Sequence, residues 1–237
     1  MNFCRDLILR STSLRLYGVV HQKSLNGPGS ALATLHDLKK FNPDLFLVET
    51  GRKSLDLTQF VWDTRDSSVT PESFCQDESD LVETAAVAAN GSMGSARVIP
   101  IDVEPIRTRG RLARSALVHP WESLVLISRY NRGSASISSL EEAGAWREDF
   151  ASACPHAFRI LFTDRESHMR DRILEEIFSC QPRNAAVLVG VSHVDALYDL
   201  LVSYATRPDT YSRCAVGCGD ILSVLFTLST WAGTVST

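Results

Sequence analysis

Two glycine–histidine junctions lie near opposite ends of the sequence and are the first candidates for chemistry. Gly18 is followed three residues later by His21, and Gly190 is followed three residues later by His193. Each glycine comes after a short apolar run of the kind that forms a buried parallel strand. Ligands bind beyond the carboxyl ends of such strands, and glycine allows a ligand or a neighbouring backbone to approach closely. One junction alone is typical of a helix cap or a packed histidine, but two of the same kind predict a shared site.

Charged side chains follow two further apolar runs. Glu49 comes directly after LFLV, and Arg52 is close enough in sequence to orient or neutralise its carboxylate. Asp102 and Glu104 come at the end of the run that begins at Ala96. We expect Glu49 to be a site residue, and Asp102 or Glu104 to act as a general base or to hold a histidine tautomer.

The elements that must position these residues alternate along the chain. Apolar runs predict strands at 14–18, 44–50, 96–103 and 185–190. Helical periodicity, turn residues and proline stops predict helices at 30–41, 80–93, 107–130, 139–150 and 164–180. This alternation predicts an α/β fold with a central, mostly parallel sheet flanked by helices. The polar stretch 53–79 is expected to form a lid or surface excursion.

Composition places the chain among ordinary globular proteins. Its 237 residues are 44% hydrophobic and 22% charged, which fits one domain over 1–237. A net charge of -4 argues against a general nucleic-acid binder. The local exception is the basic stretch 107–114, which could hold an anion, although a solvated helical turn is the simpler interpretation. Six scattered cysteines indicate reduced, cytoplasmic-type usage.

The C-terminal stretch 221–237 carries no charge. A membrane span needs about 20 mostly apolar residues, and this stretch is shorter and dotted with hydroxyl side chains. Its apolar residues recur at helical spacing: Ile221, Val224, Leu225, Leu228 and Trp231. We expect a helix over 221–232 that packs on the domain or in a homodimer, with no membrane span. A peripheral membrane contact through this helix is the weaker alternative to a cytoplasmic protein.

The order of these features resembles the TraB/PrgY family, to which the Tiki proteins are related, within a wider group that includes erythromycin esterase-like and ChaN-like proteins. The resemblance covers about residues 14–200 and rests on five blocks: Gly18-Val-Val-His21, Leu47-Val-Glu49-Thr-Gly-Arg52, Val98-Ile-Pro-Ile-Asp102, Arg165-Glu166-Ser-His-Met169 and Val189-Gly190-Val-Ser-His193. Three positions depart from the family pattern, because Val19, Val103 and Glu166 stand where the family often has Thr, Arg and Asp.

The resemblance implies an α/β domain with two related halves, each ending a strand in Gly-x-x-His. It also implies one of two functions. Tiki members are regarded as metal-dependent proteases, whereas TraB and PrgY members are associated with limiting peptide-pheromone signalling.

A metal-dependent hydrolase is the function that these residues favour. Two histidines and a carboxylate suffice for a catalytic divalent ion, and we take His21, Glu49 and His193 as its ligands. Water bound to the ion would attack a peptide or other small acyl substrate, and Arg52 or Arg165 could stabilise the oxyanion. The ion could be manganese or cobalt, as the resemblance suggests, or zinc, as the ligand types suggest. The alternative is a non-catalytic regulator of pheromone-type signalling that binds a peptide or other ligand in the same cleft.

Overall fold

A computed structural model describes residues 3–20, 29–77, 82–94, 96–103, 105–130, 137 and 139–206. Its centre is a sheet of five strands: β1 (Phe3–Leu9), β2 (Thr12–Val19), β3 (Leu45–Val48), β4 (Arg97–Pro100) and β5 (Asn184–Gly190). The spatial order is β1-β2-β5-β3-β4. Strands β2, β5, β3 and β4 are parallel, and β1 pairs antiparallel with β2. The structure therefore confirms an α/β fold with a mostly parallel sheet.

Helices connect and flank these strands. They are α1 (Ala31–Phe41), α2 (Arg52–Thr64), α3 (Pro71–Asp77), α4 (Val82–Met93), α5 (Pro105–Val118), α6 (Pro120–Val125), α7 (Leu140–Ala153), α8 (Pro155–Phe158), α9 (Asp164–Cys180) and α10 (Val194–Ala205). Two π-helical segments, Leu126–Tyr130 and Arg159–Thr163, extend α6 and join α8 to α9. A 3₁₀ turn, Val191–His193, follows β5.

The predicted starts of two helices agree with the structure, and a serine caps each of them. Ser30 and Ser139 precede α1 and α7, and each hydroxyl accepts a hydrogen bond from a backbone N–H three residues later, at 3.2 and 3.1 Å. Proline at the end of β4 fits its place at the edge of the sheet, because an edge strand can lack one donor.

The core forms because the central strands are buried on both faces. Every residue of β3 is buried, and so is every residue of β5 after Asn184, which explains their uninterrupted apolar sequences. Helix α4 contributes four buried alanines to one face of the sheet: Ala85, Ala86, Ala88 and Ala89. Their small side chains let the helix pack closely against the strands.

Within the stretch 53–79, where a lid or surface excursion was expected, the structure describes residues 53–77. Most of them belong to α2 and α3, which pack into the fold. Trp62 is buried on the inner face of α2, with its ring edge-on to Phe74 at a centroid distance of 5.1 Å. The stretch reads as irregular because the buried face of α2 is narrow, and exposed apolar residues such as Leu57 and Phe60 stand among its polar ones.

Glycine stands at the two motif positions, Gly18 and Gly190, for different structural reasons. A Cβ on Gly18 would lie 2.9 Å from Cγ2 of Val194 and 3.1 Å from Cα of Val191, so close packing requires glycine there. A Cβ on Gly190 would make an ordinary contact of 3.4 Å with Oε2 of Glu49. Glycine is therefore a steric need at Gly18 but not at Gly190.

Several expectations fall outside the described residues, namely His21, Glu104 and the helix at 221–232. Residues 1–200 form one compact unit, and a second unit begins at Leu201, which the structure describes as far as Thr206. Within the described ranges, every helix is too short or too polar to cross a bilayer.

Candidate functional site

The carboxyl edge of the sheet brings together residues that are far apart in sequence. Glu49 follows β3, Asp102 lies two residues after β4, and His193 ends the turn that follows β5. Arg165, in the first turn of α9, contacts Glu49 at this edge. The convergence follows from topology, because parallel strands end on the same side and leave a crevice there.

Glu49 lies at the centre of this group. Its Oε1 accepts a hydrogen bond from Nη2 of Arg165 at 2.6 Å and lies 3.4 Å from Nε2 of His193. Its Oε2 accepts the backbone N–H of Gly190 at 2.6 Å. The contribution of Gly190 to the site is therefore a backbone donor that orients the carboxylate.

Arg165 forms ion pairs with two carboxylates. Its Nε lies 3.0 Å from Oδ2 of Asp102, its Nη2 donates to both Asp102 and Glu49, and its Nη1 donates to the carbonyl of Leu161 at 3.2 Å. Burial alone would lower the pKa of the guanidinium, but the two carboxylates outweigh burial and raise it. Of the two arginines predicted beside Glu49, the structure places Arg165 there.

Arg52 takes a different position. Its side chain is exposed at the start of α2, where Nε lies 3.3 Å from Oδ1 of Asp56. This position gives no support to a role for Arg52 in stabilising an oxyanion.

His193 is buried between two carboxylates. Its Nδ1 lies 2.7 Å from Oε1 of Glu166, and its ring packs against Phe162 with a centroid distance of 5.0 Å. Because an ionised carboxylate can only accept, the contact requires a proton on Nδ1. The ring is thus oriented with Nε2 towards Glu49.

Glu166 is fixed in turn by Arg147 of α7. Both terminal nitrogens of Arg147, Nη1 and Nη2, donate to the carboxylate, with Nη2 at 2.6 Å from Oε2. Nη1 also donates to the carbonyl of Ser192 at 3.2 Å. Burial raises the pKa of Glu166, but the hydrogen bonds from His193 and Arg147 are stronger influences together and hold the pKa below its ordinary value. Glu166 therefore stays ionised near neutral pH.

Carboxylates outnumber guanidinium groups among the described residues of this cluster. Three carboxylates, from Glu49, Asp102 and Glu166, face the two guanidinium groups of Arg147 and Arg165. With Nδ1 protonated, the lone pair of Nε2 faces an oxygen of Glu49. Two lone-pair donors that face each other in this way could both bind one metal cation. Two ligands of one tetrahedral zinc ion lie roughly 3.3 Å apart, close to the observed 3.4 Å.

Sequence reasoning missed two members of the cluster. Glu166 was noted only as a departure from a family pattern, and Arg147 carried no signal at all within α7. A carboxylate from Asp102 or Glu104 was expected to hold the histidine tautomer. In the structure Nδ1 of His193 contacts Glu166, Asp102 contacts Arg165 and the N–H of Val103, and Glu104 lies outside the described residues. The available sequence clue to Glu166 was that it is a charged residue next to Arg165 at the start of a helix.

A cleft of about 210 Å³ opens beside the cluster. Asp102 and Arg165 form one wall, so the cleft is continuous with the charged group. The other lining residues are mostly apolar or small: Val103, Thr108, Arg109, Leu112 and Leu161. A ligand in this cleft would lie directly against Asp102 and Arg165.

A second group of potential metal ligands lies elsewhere on the protein. His119, Glu122 and His156 each offer a ligand atom, and these atoms lie within 4.8 Å of one another. Nδ1 of His156 is 2.6 Å from Oε1 of Glu122, and the two imidazole rings stack at 3.6 Å with an interplanar angle of 13°. Because stacked rings point their lone pairs along parallel planes, one ring would have to turn for both to bind the same ion.

Glu122 also serves as a helix cap. Its Oε2 accepts the backbone N–H groups of His156 and Ala157, at 3.0 and 3.3 Å, where the helix that begins at Pro155 leaves its first donors unpaired. Burial raises the pKa of Glu122, but its bonds to His156 and to the two amides hold it below the ordinary value. Capping therefore accounts for this carboxylate without an ion.

Comparison with the profiles of known protein families finds no match to this chain, and neither does a search of curated proteins. The resemblance to TraB/PrgY proteins accordingly rests on the five short blocks of sequence.

Proposed function

We propose that this protein is a metal-dependent hydrolase of peptide or related acyl bonds, of the TraB/Tiki type. The observation that carries the proposal is the orientation of His193. A buried carboxylate fixes Nδ1, and Nε2 is left facing Glu49 at 3.4 Å. Histidines that bind catalytic metals commonly donate their second nitrogen to a carboxylate in this way.

The donor set suits a divalent ion. His193 and Glu49 would be two of its ligands, and we propose His21 as the third because it follows β2, whose last residue pairs with Gly190 in β5. Two histidines and a carboxylate leave coordination positions for water and substrate. Manganese, cobalt and zinc all accept such ligands.

A bound ion would supply Lewis acidity, polarising a carbonyl and lowering the pKa of water. The protein's own groups keep the ligands in place. Glu166 and Arg147 fix the ring of His193, while Arg165 and the N–H of Gly190 hold the carboxylate of Glu49. Arg147, Arg165 and Glu166 are therefore positioning residues.

The neighbouring cleft supports a substrate with an apolar group beside the scissile bond. Leu112 and Leu161 provide apolar surface, and Asp102 lies where the cleft meets the charged cluster. The carboxylate of Asp102 could accept a proton from a group bound there. Arg109, which also lines the cleft, has no carboxylate partner among the described residues and could pair with an acidic group of a peptide.

The other candidate function is a regulator that binds a peptide in this cleft without turnover. The same charged cluster and the same apolar lining would serve that function. Cleavage of a peptide distinguishes the hydrolase from the regulator.

The test is hydrolysis of a mixed peptide library, with manganese, cobalt or zinc added and with a chelator. We expect metal-dependent cleavage, lost by at least about 100-fold in Glu49→Gln. Glu175→Gln, which alters an exposed carboxylate of α9, is the matched control and should cleave normally. Cleavage that persists in chelator, or that survives Glu49→Gln, would contradict the proposal, and metal binding without cleavage would favour the regulator.

A further inference from the structure

The α5–α6 hairpin differs from the core helices in its lack of burial. None of residues 106–128 is buried. This segment nevertheless contains large apolar side chains whose relative exposure lies between 60% and 85%: Leu117, Val118, Trp121, Leu124 and Ile127. We call these five residues the α5–α6 apolar surface. Large apolar side chains that are exposed along one short stretch of a folded chain indicate an interaction surface.

The apolar residues share their faces of the helices with arginines. Arg107, Arg111 and Arg114 are spaced by four and three residues and so lie on one face of α5. Leu117 and Val118 continue that face by one more turn. Trp121 and Leu124 of α6 are three residues apart, and Ile127 of the following π-helical segment comes three residues after Leu124.

Few acidic groups offset these arginines. Arg111 pairs with Asp164, whereas Arg107 and Arg114 have no carboxylate partner in the part of the chain that the structure describes. Glu122 is the one acidic residue of 105–130, and its oxygens are engaged by His156 and the helix amides. The α5 face is therefore basic as well as apolar, in a chain whose net charge is -4.

We propose that the α5–α6 apolar surface and its arginines bind the surface of an anionic phospholipid bilayer. Arginines would pair with lipid phosphates, while tryptophan and leucine side chains would enter the boundary between headgroups and acyl chains. The 14 residues of α5 are too few to cross the bilayer, so the hairpin would lie in its surface.

A second copy of the chain fits this surface less well. In a two-fold dimer the same patch would face itself, and the arginines of α5 would approach one another. Like charges brought together in this way oppose association. An anionic bilayer instead offers complementary charge and an apolar layer together.

The test is co-sedimentation of the full chain with phosphatidylcholine vesicles, with and without phosphatidylserine. We expect binding that requires phosphatidylserine. The double variant Trp121→Ser with Leu124→Ser should weaken binding by at least about tenfold. Arg107→Gln with Arg114→Gln should weaken it by a similar factor, because each arginine near an anionic surface contributes about fivefold.

The matched control changes two comparably exposed residues of α2, Leu57→Ser with Phe60→Ser, and should bind as the wild type does. Circular dichroism would show that all variants are folded. Binding that does not require phosphatidylserine, or that is unchanged in both α5–α6 variants, would overturn the proposal. So would concentration-dependent dimerisation that the Trp121 variant abolishes, without vesicle binding, because it would make a second copy the occupant.

Discussion

Two histidine–glutamate pairs in this protein have nearly the same N···O distance but different surroundings. Nδ1 of His193 lies 2.7 Å from Glu166, and Nδ1 of His156 lies 2.6 Å from Glu122. The side chain of His193 is 5% exposed, whereas that of His156 is 53% exposed. A short contact alone does not define a site, and burial decides how firmly the ring is held.

The second partner of each glutamate explains why the ring of His193 is held more firmly than that of His156. Glu166 is held by the guanidinium of Arg147, within a cluster of five charged residues at the carboxyl edge of the sheet. Glu122 is held by backbone amides at the start of a helix. Breaking a buried ion pair leaves an uncompensated charge and costs several kcal/mol, whereas an exposed pair contributes little. The first pair should therefore be much more sensitive to mutation.

The largest effect should come from removing the cation that joins Glu49 to Asp102. Arg165→Met leaves both carboxylates buried without that partner, and we expect a loss of about 3–5 kcal/mol in the free energy of unfolding. Arg172→Met, on the same helix, breaks partly exposed pairs with Glu175 and Glu176 and should cost less than about 1 kcal/mol. Urea unfolding at pH 7 measures both. Equal losses would remove the energetic distinction between the buried and exposed regions.

A smaller effect should come from neutralising each glutamate. We expect Glu166→Gln to cost about 3 kcal/mol at pH 7, because two buried donors lose an ionised acceptor. Glu122→Gln weakens a helix cap and should cost about 1 kcal/mol. A larger loss for Glu122→Gln than for Glu166→Gln would reverse the comparison.

The pH dependence of these losses has a definite sign. The pKa of Glu166 is lower in the folded protein than its ordinary value. Its contribution to stability is therefore fully present above the unfolded pKa of about 4.3 and disappears as the pH falls through the folded pKa. The difference between wild type and Glu166→Gln should shrink below about pH 4, which urea unfolding at several pH values would show.

Sequence reasoning located the residues that directly follow strands. Glu49, Asp102 and His193 could be predicted to share one edge because strand ends can be recognised from apolar runs, and parallel strands place those ends together. The capped helix starts at Ser30 and Ser139 depend on neighbouring residues and were equally accessible.

The remaining parts of the site depend on contacts between distant segments. Arg147 lies in the middle of α7, and only the packing of that helix brings it to Glu166. The fold had the same limitation at 53–77, where a mixture of polar and apolar residues did not reveal the narrow buried face of α2 around Trp62. Gly190 was expected to be needed for close approach, but its role depends on the position of the Glu49 carboxylate.

Metal content after equilibrium dialysis would test the central claim most directly, with the two histidines compared in the same experiment. We would dialyse wild type, His193→Gln and His156→Gln against manganese, cobalt or zinc and measure bound metal by mass spectrometry. The account predicts about one equivalent in wild type and in His156→Gln, and at least about tenfold weaker binding in His193→Gln. Metal retained by His193→Gln and lost from His156→Gln, or no metal bound by the wild type, would contradict it.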